Sequence, residues 1–130
     1  RIVRRFDKFV VLTNEDRGYW GNLRNIEVIP NAAMHVSDRY SDVENKRVIA
    51  VGRLDYQKGF DRLIQAWQRV QSTGRFKDWT LDIFGQGEWQ EMLQQMINKA
   101  GVQSTVRINR PTKQIGEEYV KSDLLVMSSN

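Results

Sequence analysis

No cysteine occurs in the 130 residues, and the chain has a single histidine and two prolines. Without cysteine, disulfides and thiolate chemistry are excluded, and a reducing compartment is permitted. One imidazole, His35, cannot build a histidine-based metal centre, and nothing about its position suggests a hydrolytic triad. Alone in a polar segment, it reads as a solvated side chain. No apolar run approaches the roughly 20 residues that a membrane-spanning helix needs, and no signal-peptide pattern opens the chain. A cytoplasmic location is the expectation. Internal repeats and low-complexity tracts are also missing. Lys58-Gly59 lacks both the preceding glycine spacing and the following hydroxyl of a P-loop, so that route to phosphate binding is closed. No Asp-x-Asp pair is present to bridge a divalent ion to a phosphate, and no acidic cluster marks the strand ends as in a receiver domain.

The charge is basic but spread out. Residues 1–46 carry eight Lys/Arg against seven Asp/Glu and residues 47–130 carry twelve against nine, which together give the net +4. Apart from a small cluster of Arg1, Arg4, Arg5 and Lys8, no face or stripe gathers the excess. Nucleic-acid binders concentrate their charge, so no nucleic-acid partner is expected, and the bias is toward small anions. At this length there is room for about one domain. The chain begins at Arg1 without a methionine and ends at Asn130 directly after an apolar strand; it is expected to be a piece of a longer protein.

What is present is organised around Arg47 to Val70. Val48, Ile49, Ala50 and Val51 form a short continuous apolar run, fit for a strand buried on both faces. Gly52 ends it, and a polar turn with Arg53, Asp55 and Lys58 follows. After Gly59 the period becomes helical: Phe60, Leu63, Ile64, Trp67 and Val70 fall on one stripe, and Gly74 is the stop. Strand, basic turn and helix place two cations and a helix N-terminus at the carboxyl end of a strand, where open α/β sheets bind ligands. A phosphate is the anion such an arrangement suits. Lys58 stands at the helix end whose dipole is already positive, which costs stability unless an anion is bound. The alternative for these residues is an arginine capping a sheet edge and a solvated first-turn lysine.

The stretch VGRLDYQKGFDRLIQAW resembles the start of the C-terminal domain of the family 4 glycosyltransferases, retaining enzymes of the two-domain GT-B architecture. The resemblance implies a three-layer α/β fold, a Rossmann-like parallel sheet with helices on both faces. It also implies that Gly52, Arg53, Lys58 and Gly59 hold the diphosphate of a nucleotide sugar. It extends over nearly the whole chain. Residues 1–31 are then the tail of an N-terminal, acceptor-binding domain, 32–46 a linker, and 47–130 an incomplete donor-binding domain. In the first part, Phe9 to Leu12 and Ile26 to Ile29 are short strands around a helix ending at Gly21, with Thr13 and Asp16 as a weak capping box. Asn31 either lines an interdomain cleft or is a turn residue after Pro30.

Trp79 to Phe84 reads as the next strand, reached by a right-handed crossover, with Asp82 awkward in its middle. Gly85-Gln86-Gly87 and a helix follow, with Trp89, Met92, Leu93, Met96, Ile97 and Ala100 as core and Gly101 as stop. The third glycine of a dinucleotide fingerprint is absent, because position 90 is Gln. The resemblance puts Gly85 and Gly87 beside the donor; a strand-to-helix turn alone explains them equally. Thr105 to Ile108 is a strand with Val106 and Ile108 inward. Arg110 and Thr112 follow it; the resemblance sets this loop against the nucleobase, while the residues alone give a surface arginine and a helix N-cap for Ile115 and Tyr119. Leu124 to Met127 is a last buried strand. The acidic residues that follow it in the family, which contact sugar and ribose, lie beyond Asn130.

The resemblance implies transfer of a sugar from a nucleotide diphosphate sugar to a sugar or lipid-linked acceptor, in polysaccharide or lipopolysaccharide synthesis. No cofactor or metal is implied, and the parent protein is expected to touch membranes peripherally. The 130 residues alone are expected to be inactive, and to self-associate through uncovered strand edges; a clean monomer by light scattering would contradict the latter. The rival reading is a non-catalytic nucleotide-binding or protein-docking α/β module. Nucleotide, sugar and acceptor are not specified by the residues.

Overall fold

The computed structural model describes residues 2–31 and 38–129, so His35 and the first part, 32–37, of the segment 32–46 expected as linker lie outside the described residues. The chain divides into two compact units, residues 1–36 and 37–130. In the first, strand β1 (Phe9–Val11) pairs in parallel with β2 (Ile26–Val28), Phe9 opposite Ile26. Helix α1 (Asn14–Trp20) joins them. Its N-cap is Thr13, whose hydroxyl accepts a hydrogen bond from the Asp16 amide at 3.0 Å, and Gly21 ends it at φ 67°. Trp20 packs edge-on against Phe9, 4.7 Å between ring centres.

The second unit is a four-stranded parallel sheet in the order β5-β4-β3-β6. Its strands are β3 (Arg47–Val51), β4 (Thr80–Phe84), β5 (Val106–Asn109) and β6 (Leu124–Leu125). The chain leaves β3 for β4 and β5 on one side and returns to β6 on the other. Helices α2 (Phe60–Ser72) and α3 (Gln90–Lys99) therefore cover one face, and α4 (Ile115–Val120) lies against the other. The α2–α3 face is the apolar core. Val48, Ala50, Leu81, Ile83 and Val106 from the strands meet Phe60, Leu63, Ile64, Trp67, Leu93 and Ile97 from the helices. Alternation along each strand sends Ile49 and Phe84, also buried, to the opposite face.

Several expectations need correcting. Val70 closes the apolar stripe of α2 but is 37% exposed, because it lines an open groove beside β6. The last strand is shorter than Leu124 to Met127 and is not buried: Leu124 and Leu125 are half-exposed and Met127 is 82% exposed, since β6 is an edge strand with β3 as its one neighbour. Trp89, Met92 and Met96 are only partly buried, flanking the core rather than filling it. Leu54, placed by its surroundings in a polar turn, is fully buried and braces that turn against the core.

Candidate functional site

The carboxyl ends of β3, β4 and β5 open onto a cavity of about 330 Å³. Val51, Gly52 and Arg53 form one wall, Phe84, Gly85 and Gln86 a second, and Pro111, Thr112 and Ile115 a third. Three loops that follow three adjacent parallel strands thus meet at one place, as the sheet topology requires.

The two glycine-bearing turns are pressed together. The Gly52 amide donates to the Phe84 carbonyl (3.0 Å), the Leu54 amide to the Gln86 carbonyl (3.0 Å), and the Trp89 amide to the Leu54 carbonyl (3.0 Å). A Cβ at position 85 would stand 2.0 Å from the Gly52 carbonyl oxygen, and one at position 87 would stand 2.3 Å from that of Leu54. Both glycines are thus demanded by backbone approach. The Gly85 amide donates to the Asn109 carbonyl at 3.0 Å. The amides of Gly52 and Gly85 are thus engaged by neighbouring strands and are not free to meet an anion in the cavity.

Among the lining side chains, Arg53 is the cation on the wall. Its side chain is 70% exposed, with Nε 3.1 Å from Asp55 Oδ2 and Nη2 donating to Gln57 Oε1 at 2.8 Å. Asp55 also accepts from the Lys58 amide (3.3 Å), capping the short 3-10 turn Tyr56–Lys58 that leads into α2. Lys58 does not line the cavity, but its aliphatic stem lies over Gly52: a Cβ there would touch Lys58 Cγ and Cδ at 3.2 Å. Arg53 and Lys58 therefore flank the same glycine.

Gly59 lies at the crevice where the strand order reverses, between β3 and β6. It adopts φ +59°, and a Cβ would meet the Ser128 carbonyl oxygen at 2.3 Å. The loop after β6 is fixed there, Ser128 Oγ donating to the Lys58 carbonyl (2.8 Å) and Arg62 Nη2 to the Ser128 carbonyl (2.9 Å).

Residues 37–130 match the family described as glycosyl transferases group 1. The chain belongs to the group 1 glycosyltransferases. Among relatives of this family, the amylovoran biosynthesis glycosyltransferase AmsD of Erwinia amylovora is 36% identical over 133 residues, a match covering 95% of this chain and 37% of AmsD. The chain thus spans little more than a third of that relative's length. TarM of S. aureus, solved in complex with fondaparinux, alpha-GlcNAc-glycerol and UDP, superposes with a TM-score of 0.82 at 21% identity, over 98% of this chain and 26% of TarM. The pneumococcal O-GlcNAc transferase GtfA, solved with UDP and GlcNAc, gives 0.78 at 18% identity, over 95% of this chain and 26% of GtfA. At these identities the structural matches establish the fold: part of a GT-B glycosyltransferase.

Within this group 1 glycosyltransferase domain, Gly52, Arg53, Gly85 and Thr112 of the sequence-derived candidates line one cavity. Lys58 and Gly59 sit at its flank, over Gly52 and under Ser128, and Gly87 lies behind the turn against Leu54. Arg110 is exposed and does not line it. Thr112 is not the N-cap of α4; that position is Gln114, and the Thr112 hydroxyl accepts from the Gln114 amide at 3.1 Å. A turn over Lys113 and Gln114 precedes the helix, which starts at Ile115. Phe84, Pro111 and Ile115, none of them a candidate from sequence, join Val51 in the apolar part of the lining. Their only signal is position, as the residues at or just past strand ends. Among the described residues no group of His, Cys, Asp or Glu is arranged to hold a metal ion.

Proposed function

We propose that this chain is the donor-binding part of a retaining, family 4 glycosyltransferase that moves a sugar from a nucleotide diphosphate sugar to an acceptor in polysaccharide assembly. The observation that carries the reading is the convergence of the Gly52-Arg53 turn, the Gly85-Gln86 turn and Pro111-Thr112 on one cavity, with the Lys58 stem against Gly52. The biosynthetic role borne in the name of AmsD supports the polysaccharide setting.

In such a transfer the bond from the anomeric carbon to the diphosphate breaks. Negative charge grows on the leaving phosphate while positive charge grows on the sugar. Fixed cations aimed at that phosphate stabilise the transition state more than the ground state. Arg53 offers a planar fork to two phosphate oxygens, releasing Asp55 and Gln57 as it does so, and Lys58 offers a point charge. Each charge-assisted contact is worth about 1.5–3 kcal/mol. The apolar lining by Val51, Phe84 and Ile115 suits a base ring and excludes water around it.

Calorimetric titration with UDP and GDP, at concentrations up to the order of 1 mM, tests the assignment. One of them binds, and Arg53→Ala weakens it by about tenfold or more, the worth of one charged contact. Absence of binding by both, or equal affinity in the variant, would contradict it.

A further inference from the structure

Helix α4 poses a question of attachment. It has six residues, none of them buried, and no side-chain cap at Gln114. Yet the segment leading into it, Pro111 to Ile115, is a wall of the cavity. Apolar packing of the kind that fixes α2 and α3 is largely missing there.

What holds it is a chain of charged and polar contacts across the sheet face. Arg47, at the start of β3, donates from Nε to Asp82 Oδ2 (2.6 Å) and places Nη2 2.7 Å from Glu118 Oε2, one helical turn beyond Ile115. The other Asp82 oxygen accepts from Asn109 Nδ2 at 2.9 Å. Asn109 in turn accepts the Gly85 amide on its carbonyl, so one residue binds the loop both to Asp82 and to the glycine turn. The side chains of Asp82, Arg47 and Glu118 are 8%, 18% and 23% exposed. Burial acts to lower the Arg47 pKa, but its hydrogen bonds to Asp82 and Glu118 prevail and raise it, so the guanidinium stays charged. A buried ion pair gains little net stability over apolar residues of the same shape. Its gain is direction, because a forked guanidinium fixes distance and angle where apolar surfaces slide.

We propose that Arg47 and Asp82 are positioning residues for the cavity, holding residues 109–115 in place opposite Gly52 and Gly85 through Glu118 and Asn109; this rests on reading the cavity as the nucleotide site. The test combines amide hydrogen exchange with UDP and GDP titration on the full chain, using Glu118→Gln and Asp82→Asn, with Asp78→Asn at the exposed Lys46 pair as control. Exchange in 109–116 is expected to quicken by at least about tenfold, the loss of one charge-assisted bond, with β3, β4 and α2 unchanged, and nucleotide affinity falls by a similar factor. Arg53→Ala loses affinity without quickening 109–116. Unchanged exchange there, a rise spread evenly over the chain, or a local rise with affinity intact would overturn the proposal. Should Asp82→Asn not fold, Glu118→Gln at the less buried end decides the matter. If neither nucleotide binds the unaltered chain, the nucleotide reading fails while the exchange data still decide whether the network holds the wall.

Discussion

On one face of the second unit's sheet, Val48, Ala50, Leu81, Ile83 and Val106 meet α2 and α3 in a continuous apolar layer. On the other, Arg47, Asp82, Asn109 and Glu118 run as a polar chain toward α4, with Ile49 and Phe84 buried between. The first face supplies stability. It fixes the strand ends, and with them Gly52 and Gly85, relative to one another. On the second, the polar chain itself contributes little net free energy but sets the third wall of the cavity. A rigid scaffold on one side and a directionally bonded wall on the other is a sensible division for the nucleotide site proposed above.

The contrast is broken most forcefully from the apolar side. Leu81→Ala removes a fully buried side chain from the middle of the layer and is expected to cost about 2–5 kcal/mol in denaturant unfolding. A loss below about 1 kcal/mol would mean that the layer is loosely packed. Gly85→Ala sharpens the comparison at the junction. Its Cβ would fall 2.0 Å from a backbone oxygen that has no rotamer to retreat into. The two turns must part, at a cost of about 1–3 kcal/mol, and nucleotide binding goes with them; unfolding and titration read the two losses separately.

The smallest effect expected comes from pH. Burial pulls the Asp123 carboxyl up, but hydrogen bonds donated by the Asn45 backbone and side chain and the Lys46 amide outweigh this and hold it below its ordinary 3.8. A depressed carboxylate contributes stability that is present above 3.8 and disappears as the pH falls through the folded value. The melting temperature of Asp123→Asn should therefore lie below that of the unaltered chain at neutral pH. The gap should close below about pH 4; a gap independent of pH would show that the charge is immaterial.

Much of the parallel core was legible because continuous apolar runs, helical stripes and glycine stops all agree along residues 47–109. The first unit was legible too: Thr13 caps α1 and Gly21 stops it as their types suggest. The end of the chain was not, since Leu124 to Met127 has the composition of a buried strand and only its place at the sheet edge exposes it. For the site, Gly52, Arg53 and Gly85 could be found because short-range pattern marks a strand end. Asp82 announced itself as out of place in an apolar strand, but its partners are 35 residues back and 27 residues ahead, a separation no local pattern spans.

Amide chemical-shift mapping during a UDP and GDP titration puts the central claim to its most direct test. The expected result is saturable perturbation concentrated at Gly52, Arg53, Gln86 and Thr112, with α1 and the first unit silent and with the Arg53→Ala response much reduced. Perturbations scattered over the surface, or gathered at the exposed arginines of the first unit, would contradict the assignment of the cavity.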